Sequence, residues 1–379
     1  MNPMSAGDGV LVVGGGIAGL ALARALRQRD VPFVLAERSE AAENGGLAVN
    51  LPGNAVAALA ALGLHDGLEK LGRPIRRREY RSARDRLLFA VDEDAFWGSE
   101  ARPRGVRRSD LLALLGADLD PAAQRRPSTV ESVRPARSGV EVEFAGGSRE
   151  THGFVAGADG VHSVVRDSAF DGDGVRSAVL SAASWRFMAP NPGVDCWTVW
   201  SGAEGAILLM PVDGDQVYGY ASATRGGPVG ADPAWLSTTF GGYPAPVRTV
   251  LDGLLGDPGS LYHSPVEEVR AGEWVRGRCV LIGDAAHATA PVWAQGAALA
   301  MEDALVLADL LARESWDSAG RLYQERRRGR VAHVQAATDR FSRAAGLPIW
   351  FRDVVLPVIG PRSYRETYGV LRRPVELGD

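Results

Sequence analysis

Lysine occurs once in this chain, at Lys70, although Lys and Arg together number 42 of 379 residues. The plainest reading of the arginines is a GC-rich coding bias rather than a function. No Gly-Lys-Ser/Thr follows a glycine turn, which excludes a kinase-type phosphate loop. Cysteine is nearly as scarce. Cys196 and Cys279 lie far apart without CxxC or His-rich spacing, so neither a disulfide framework nor a metal site is indicated, and a reducing, cytoplasmic setting is expected. No apolar run approaches the roughly 20 residues of a membrane span. The opening MNPMSAGDG lacks the basic and apolar regions of a secretory leader. With a net charge of −4 there is no electrostatic case for nucleic acid or an anionic membrane surface. No Ser/His/Asp or paired-carboxylate device is evident either.

What is there is ordinary globular material, 46% hydrophobic and 23% charged, long enough for two domains or one elaborate one. The stretch LVVGGGIAGLALARALRQRDVPFVLAERSE is an apolar strand, a glycine turn, an Ala/Leu-rich helix and a second strand ending at Glu37. From Ser181 to about Ser264 the pattern changes to short alternating strands, SWRFMA, CWTVWSG, AILLMPV and QVYGYASA, divided by Gly, Pro and Asp turns. The α/β character returns at RCVLIGDAAH. The expected fold is mixed α/β: a Rossmann-like domain from residues 1–75, 98–180 and 270–320, an interleaved antiparallel β-sheet domain from 76–97 and 181–269, and a C-terminal helical segment over 321–379.

Gly14, Gly16 and Gly19 form GxGxxG directly after a strand and at the start of a helix. The first glycine permits the tight turn, the second admits a pyrophosphate to the backbone, and the third lets helix and strand pack closely. Glu37, at the end of the second strand, is placed for a ribose diol. This predicts dinucleotide binding without separating NAD from FAD. Two later motifs make that separation: VAGADGVHSVVR, with Asp159 in a strand-to-helix turn, and VLIGDAAHATAP, with Gly283 and Asp284 after a strand.

The three motifs in this order resemble the class A flavoprotein monooxygenases, the para-hydroxybenzoate hydroxylase-like family, and the resemblance covers nearly the whole chain. It implies that Gly14, Gly16, Gly19, Glu37 and Arg38 hold the ADP half of FAD. By the same resemblance Arg108 lies near the pyrophosphate, Asp159 near FAD and a passing nicotinamide, and Gly283 and Asp284 by the ribityl chain. Each of these has a plainer reading as a cap or turn residue. The resemblance further implies NADH or NADPH as a transient cosubstrate and O2 as oxidant, with oxygen transfer through a flavin C4a-hydroperoxide. Rival readings are a flavoprotein oxidase or reductase and a non-catalytic FAD-binding protein. His287 and His162 are read as structural.

Substrate contacts are expected from the middle sheet, at Trp185, Trp197, Trp200, Leu208, Met210, Tyr218 and Tyr220, joined by Trp293. Four tryptophans argue for a large, flat or greasy substrate: an apolar aromatic, indolic, polyketide or isoprenoid small molecule, to be hydroxylated or epoxidised. GAEGAI, before LLMP, offers no arginine for an anion, which counts against urate or a simple benzoate. A monomer or homodimer is expected. The segment PVWAQG is read as the loop beside the flavin, with Pro291 and Gln295 on it. Gly296 and Ala297 would open a helix whose positive end faces the ring. The family commonly has glycine where this chain has Ala294, so either an ordinary backbone conformation or a displaced loop is expected there.

Overall fold

Val10–Val13 is a buried run of β-branched and aliphatic residues, and it forms a central strand of a six-stranded sheet. The computed structural model describes residues 9–40, 47–170, 175–179, 181–224, 226–256 and 258–378. Residues 1–8, most of the segment read for a leader, lie outside them. The sheet runs Val275–Arg276, Cys279–Leu281, Phe154–Gly157, Val10–Val13, Phe33–Ala36 and Gln124–Arg125, parallel except at its first pairing. Strands brought together from such distant stretches are the Rossmann-like layer that the glycine turn predicts. The helix Ile17–Arg27 buries Leu20, Ala21, Leu22, Ala25 and Leu26, packing on this sheet and on the helix Gly296–Arg313.

A seven-stranded sheet forms the second layer, in the order Tyr262–Pro265, Ala183–Pro190, Gln216–Ala223, Gly205–Asp213, Trp197–Ser201, Arg77–Ser82 and Leu87–Asp92. Its pairings are antiparallel, as expected, except that Trp197–Ser201 runs parallel to Arg77–Ser82. The early hairpin thus completes a sheet made mostly from much later residues, and the two layers are interleaved along the chain. The middle block also holds two helices, Ala234–Phe240 and Ala245–Leu255, whose Leu236, Phe240, Val247 and Leu251 seal one face of the sheet. The helices Trp316–Ala345 and Ile349–Leu371 follow. The last returns to the sheet edge, where Gly360 abuts Phe89, and sends Tyr364 and Tyr368 inward. Among the described residues no helix is long and apolar enough to cross a membrane.

Candidate active site

At the carboxyl ends of the parallel strands lies a cavity of about 280 Å3, lined by Gly14, Gly16, Glu37, Arg38, Arg108, Arg126, Asp159 and Gly160 among others. Ligands of open α/β sheets bind at this end. Gly14 has φ +105°, and a Cβ there would meet the Ala158 carbonyl oxygen at 2.5 Å. Gly16 caps the helix without a side-chain hydrogen bond, and a Cβ built on it meets nothing within 4 Å, so its face is open to a ligand. The Glu37 carboxylate accepts from the Gly15 N–H at 2.5 Å and the Ser39 N–H at 2.9 Å, which holds it on the cavity wall. Arg38 is exposed on the same wall.

Arg108, on the cavity wall, lies close enough to Asp284 for the two charges to interact. Arg108 opens the helix Arg108–Gly116, and its Nε is buried without a partner. Burial lowers its pKa, Asp284 pulls it up, and Arg186 pushes it down. Asp284 keeps solvent-exposed surface, and desolvation by the protein around the rest of it pushes its carboxyl above the usual carboxylate range against the pull of His287 and Arg108. A Cβ on Gly296 would come 3.8 Å from the Asp284 Oδ1, so the uncapped N-terminus of the helix Gly296–Arg313 ends beside that carboxylate. Ala297 follows in its first turn.

The DG and GD motifs are tied together by buried arginines. Both Asp159 oxygens serve the helix Val164–Ala169, accepting from the Ser163 hydroxyl at 2.5 Å and the Val165 N–H at 3.1 Å, while burial raises its pKa. Arg166 donates to the Val161 and Ala285 carbonyls, joining the two turns. Below the GD turn, Asp303 accepts from the Gly283 N–H at 2.9 Å and the Arg327 Nε at 2.7 Å, with the His287 ring nitrogen 2.6 Å away. Burial opposes that charge, but His287 and Arg327 outweigh it and hold the Asp303 carboxyl at about 2. His287 is therefore a strut under the turn. His162 sits exposed against Glu267 at 3.0 Å.

The eight expected substrate contacts divide, seven on the seven-stranded sheet and Trp293 in the turn Pro291–Trp293. Tyr218, Tyr220 and Leu208 are half-buried on the face away from the two sealing helices, with Met188 and Val199. Trp197 and Met210 share that face but are shut into its corner with Ile75 and Val212. There the Arg78 guanidinium stacks 5.0 Å from the Trp197 ring. Trp185 and Trp200 lie on the opposite face, in the helix-covered core, with their indole N–H groups on the Gly230 carbonyl and the Asp85 carboxylate. Trp293 is buried among Phe341 and Tyr368. No tryptophan of the set lines open space, which removes the tryptophan argument for a large greasy substrate.

The family model described as FAD binding domain matches residues 9–340. The chain is 30% identical over 359 residues to the 3-amino-4-hydroxybenzoate 2-monooxygenase PtmB3 of Streptomyces platensis, covering 89% of each. It is 27% identical over 377 residues to the 2-heptyl-3-hydroxy-4(1H)-quinolone synthase of Pseudomonas aeruginosa, 95% of this chain and 96% of that protein. Klebsiella pneumoniae HpxO, solved with FAD and uric acid, shares the fold with a TM-score of 0.86 at 24% identity, over 99% of this chain and 100% of that one. The chain belongs to the class A flavoprotein monooxygenases. It is an FAD-dependent oxidoreductase, with NAD(P)H the cosubstrate typical of the family.

The open face at Gly16, the free helix N-terminus and the orphaned Arg108 and Arg126 nitrogens suit FAD in this monooxygenase. Sequence reasoning missed Arg126. It follows the two-residue strand Gln124–Arg125, too short to register as periodicity, which extends the parallel sheet and brings Arg126 to the ligand end.

The PVWAQG segment is a short 3-10 turn over Pro291–Trp293 followed by Ala294 at φ 52° and ψ 35°. The backbone at Ala294 is therefore not the ordinary one of the first expectation: an alanine stands in the left-handed region that favours glycine. The surroundings hold it there. The Trp293 carbonyl accepts from the Tyr368 hydroxyl at 2.7 Å, and Gln295 exchanges amide hydrogen bonds with Asn54. Gln295 is thus a buried tie to the helix Gly53–Ala61. A left-handed alanine costs about 1 kcal/mol, of which glycine's extra unfolded-state freedom cancels a large part. Ala294→Gly is therefore expected to raise stability by at most about 1 kcal/mol, and Ala294→Val to lower it by about 1 kcal/mol or more. Urea midpoints measured with bound flavin check both; a glycine variant that is the weaker of the two would refute the strain.

Proposed function

We propose that this enzyme transfers one oxygen atom from O2 onto a flat aromatic or heteroaromatic substrate lying against the half-open face of the seven-stranded sheet. The reductant is NADH or NADPH, and the protein works as a monomer or homodimer. The observation that carries this is the asymmetry of the sheet: helices seal one face, while Leu208, Met188, Val199, Tyr218 and Tyr220 stay partly open on the other. The named relatives fit this reading, because a quinolone, an aminohydroxybenzoate and urate are all flat rings bearing oxygen.

FAD supplies the redox and oxygen-activating chemistry, and the chain supplies binding, orientation and exclusion of water. Burial raises the phenol pKa of both Tyr218 and Tyr220, with Arg186 opposing. Both phenols are therefore protonated at neutral pH and able to donate to a substrate oxygen. The positive end of the helix Gly296–Arg313 favours negative charge beside it. Cys196 and Cys279 are both free, which accords with residence in a reducing cytoplasm.

The test is oxidation of NADH and NADPH by the purified flavoprotein with a panel of one- to three-ring aromatic compounds under labelled O2. A stimulating compound should return with one labelled oxygen atom. Hydrogen peroxide alone with every compound would instead make the protein an oxidase.

A further inference from the structure

Arg186 lies within the strand Ala183–Pro190, opposite Tyr220 on one neighbouring strand and Tyr262 on the other. Its chain neighbours Trp185 and Phe187 enter the helix-covered core, so strand alternation turns Arg186 to the open face that also carries Met188, Leu208, Tyr218 and Tyr220. It is half-buried there, and among the described residues its guanidinium makes no hydrogen bond or ion pair. Other buried or half-buried arginines at this sheet and its margins are answered, Arg78 by Glu93, Arg81 by Glu79 and Arg107 by Asp213, whereas Arg84, which has no carboxylate partner among the described residues either, stands exposed in a hairpin turn.

A guanidinium held partly out of water with no anion is unfavourable unless something else meets it. The groups that sense its charge are Tyr218, Tyr220 and Arg108, the last lining the cofactor groove. Arg186 therefore stands where the open sheet face and the cofactor groove approach each other.

We infer that Arg186 is the specificity residue of the substrate site and recognises an ionised oxygen, a carboxylate or a phenolate, on the aromatic substrate. This rests on the aromatic-substrate reading above and narrows it. It also reverses the expectation drawn from GAEGAI: the strand that lacks an arginine is complemented by one two strands away, because Leu208 and Arg186 both pair with Tyr220. Planar, bidentate donors suit Arg to an oxyanion better than Lys.

The test uses the FAD-loaded enzyme and matched probes: aromatic acids of one to three rings with their methyl esters, and phenols with their methyl ethers. Dissociation constants come from perturbation of the flavin absorbance, and NAD(P)H oxidation is followed in parallel. At least one ionised probe should bind about tenfold or more tighter than its neutral twin, as expected for a charge-assisted pair. Acids and phenols separate the two sources of negative oxygen. Arg186→Met should bring that probe's affinity down to its twin's, and Arg186→Lys should keep part of the preference. Flavin content reports on the fold; if the methionine variant loses FAD, the wild-type preference and the lysine variant still decide. Neutral twins that bind as well as the anions, or a methionine variant that weakens both alike, would overturn the role of Arg186 while leaving an aromatic monooxygenase. If no probe of either kind binds or speeds oxidation, the aromatic-substrate reading falls, and this inference with it.

Discussion

Gly19→Ala is expected to abolish flavin retention and to lower stability by about 3 kcal/mol or more. A Cβ at Gly19 would lie 1.8 Å from the Gly14 carbonyl oxygen, and that atom belongs to a backbone turn that has no rotamer to change. The helix cannot retreat either, since Leu20, Ala21, Leu22, Ala23, Ala25 and Leu26 are all buried. The strain must then open the turn itself, which is where the pyrophosphate would lie. Gly16→Ala provides the contrast. Gly16 has an ordinary φ of −78° and nothing within 4 Å of its missing Cβ, so that variant should fold with near-normal stability and still bind FAD poorly. Urea midpoints and flavin absorbance of the two proteins separate the roles. Full flavin content in the Gly16 variant would mean that the pyrophosphate does not cross that residue.

The contrast between these glycines was legible in the sequence because the whole device is local. A strand, a turn, a helix and an acid within some thirty residues carry their own spacing. The DG and GD motifs were legible for the same reason. The substrate face was not. Alternation divides SWRFMA or QVYGYASA into two sets of side chains, but which set faces the ligand depends on what covers the other side. Here the helices Ala234–Phe240 and Ala245–Leu255 cover it, and the sequence block had been read as sheet throughout. Trp185 and Trp200 consequently drew attention that belonged to Arg186, the residue between Trp185 and Phe187. A lone arginine within an otherwise apolar strand was the available signal. Distance in sequence hid the remaining parts. Arg126 gains meaning only beside Gly15, and Tyr368 only beneath Trp293.

Asp303 is the strongest case of such concealment, and replacing it carries the second large expectation. It sits in the helix Gly296–Arg313 and looks like a surface acid in MEDALVLADLL, yet it is fully buried. Asp303→Asn would offer an amide NH2 to a site that needs an acceptor, and would leave Arg327 with Glu302, at 3.0 Å, as its remaining carboxylate. Removing one partner of a buried ion pair costs about 3–5 kcal/mol. The loss should be accompanied by reduced flavin affinity, because Asp303 also holds the Gly283 N–H beneath Asp284. Arg327→Leu should cost a comparable amount, and the double substitution less than the two losses added, since each single change already breaks the same buried ion pair. Strictly additive urea-midpoint losses would refute the coupling. The pH dependence follows from the lowered carboxyl: its contribution is fully present above the unfolded-state value of about 3.9. It fades as pH falls toward about 2, where the folded carboxyl takes up its proton. The wild-type protein should therefore lose stability on acidification through that window more steeply than Asp303→Asn, which has no such proton to bind. Parallel acid profiles for the two proteins would place the charge elsewhere.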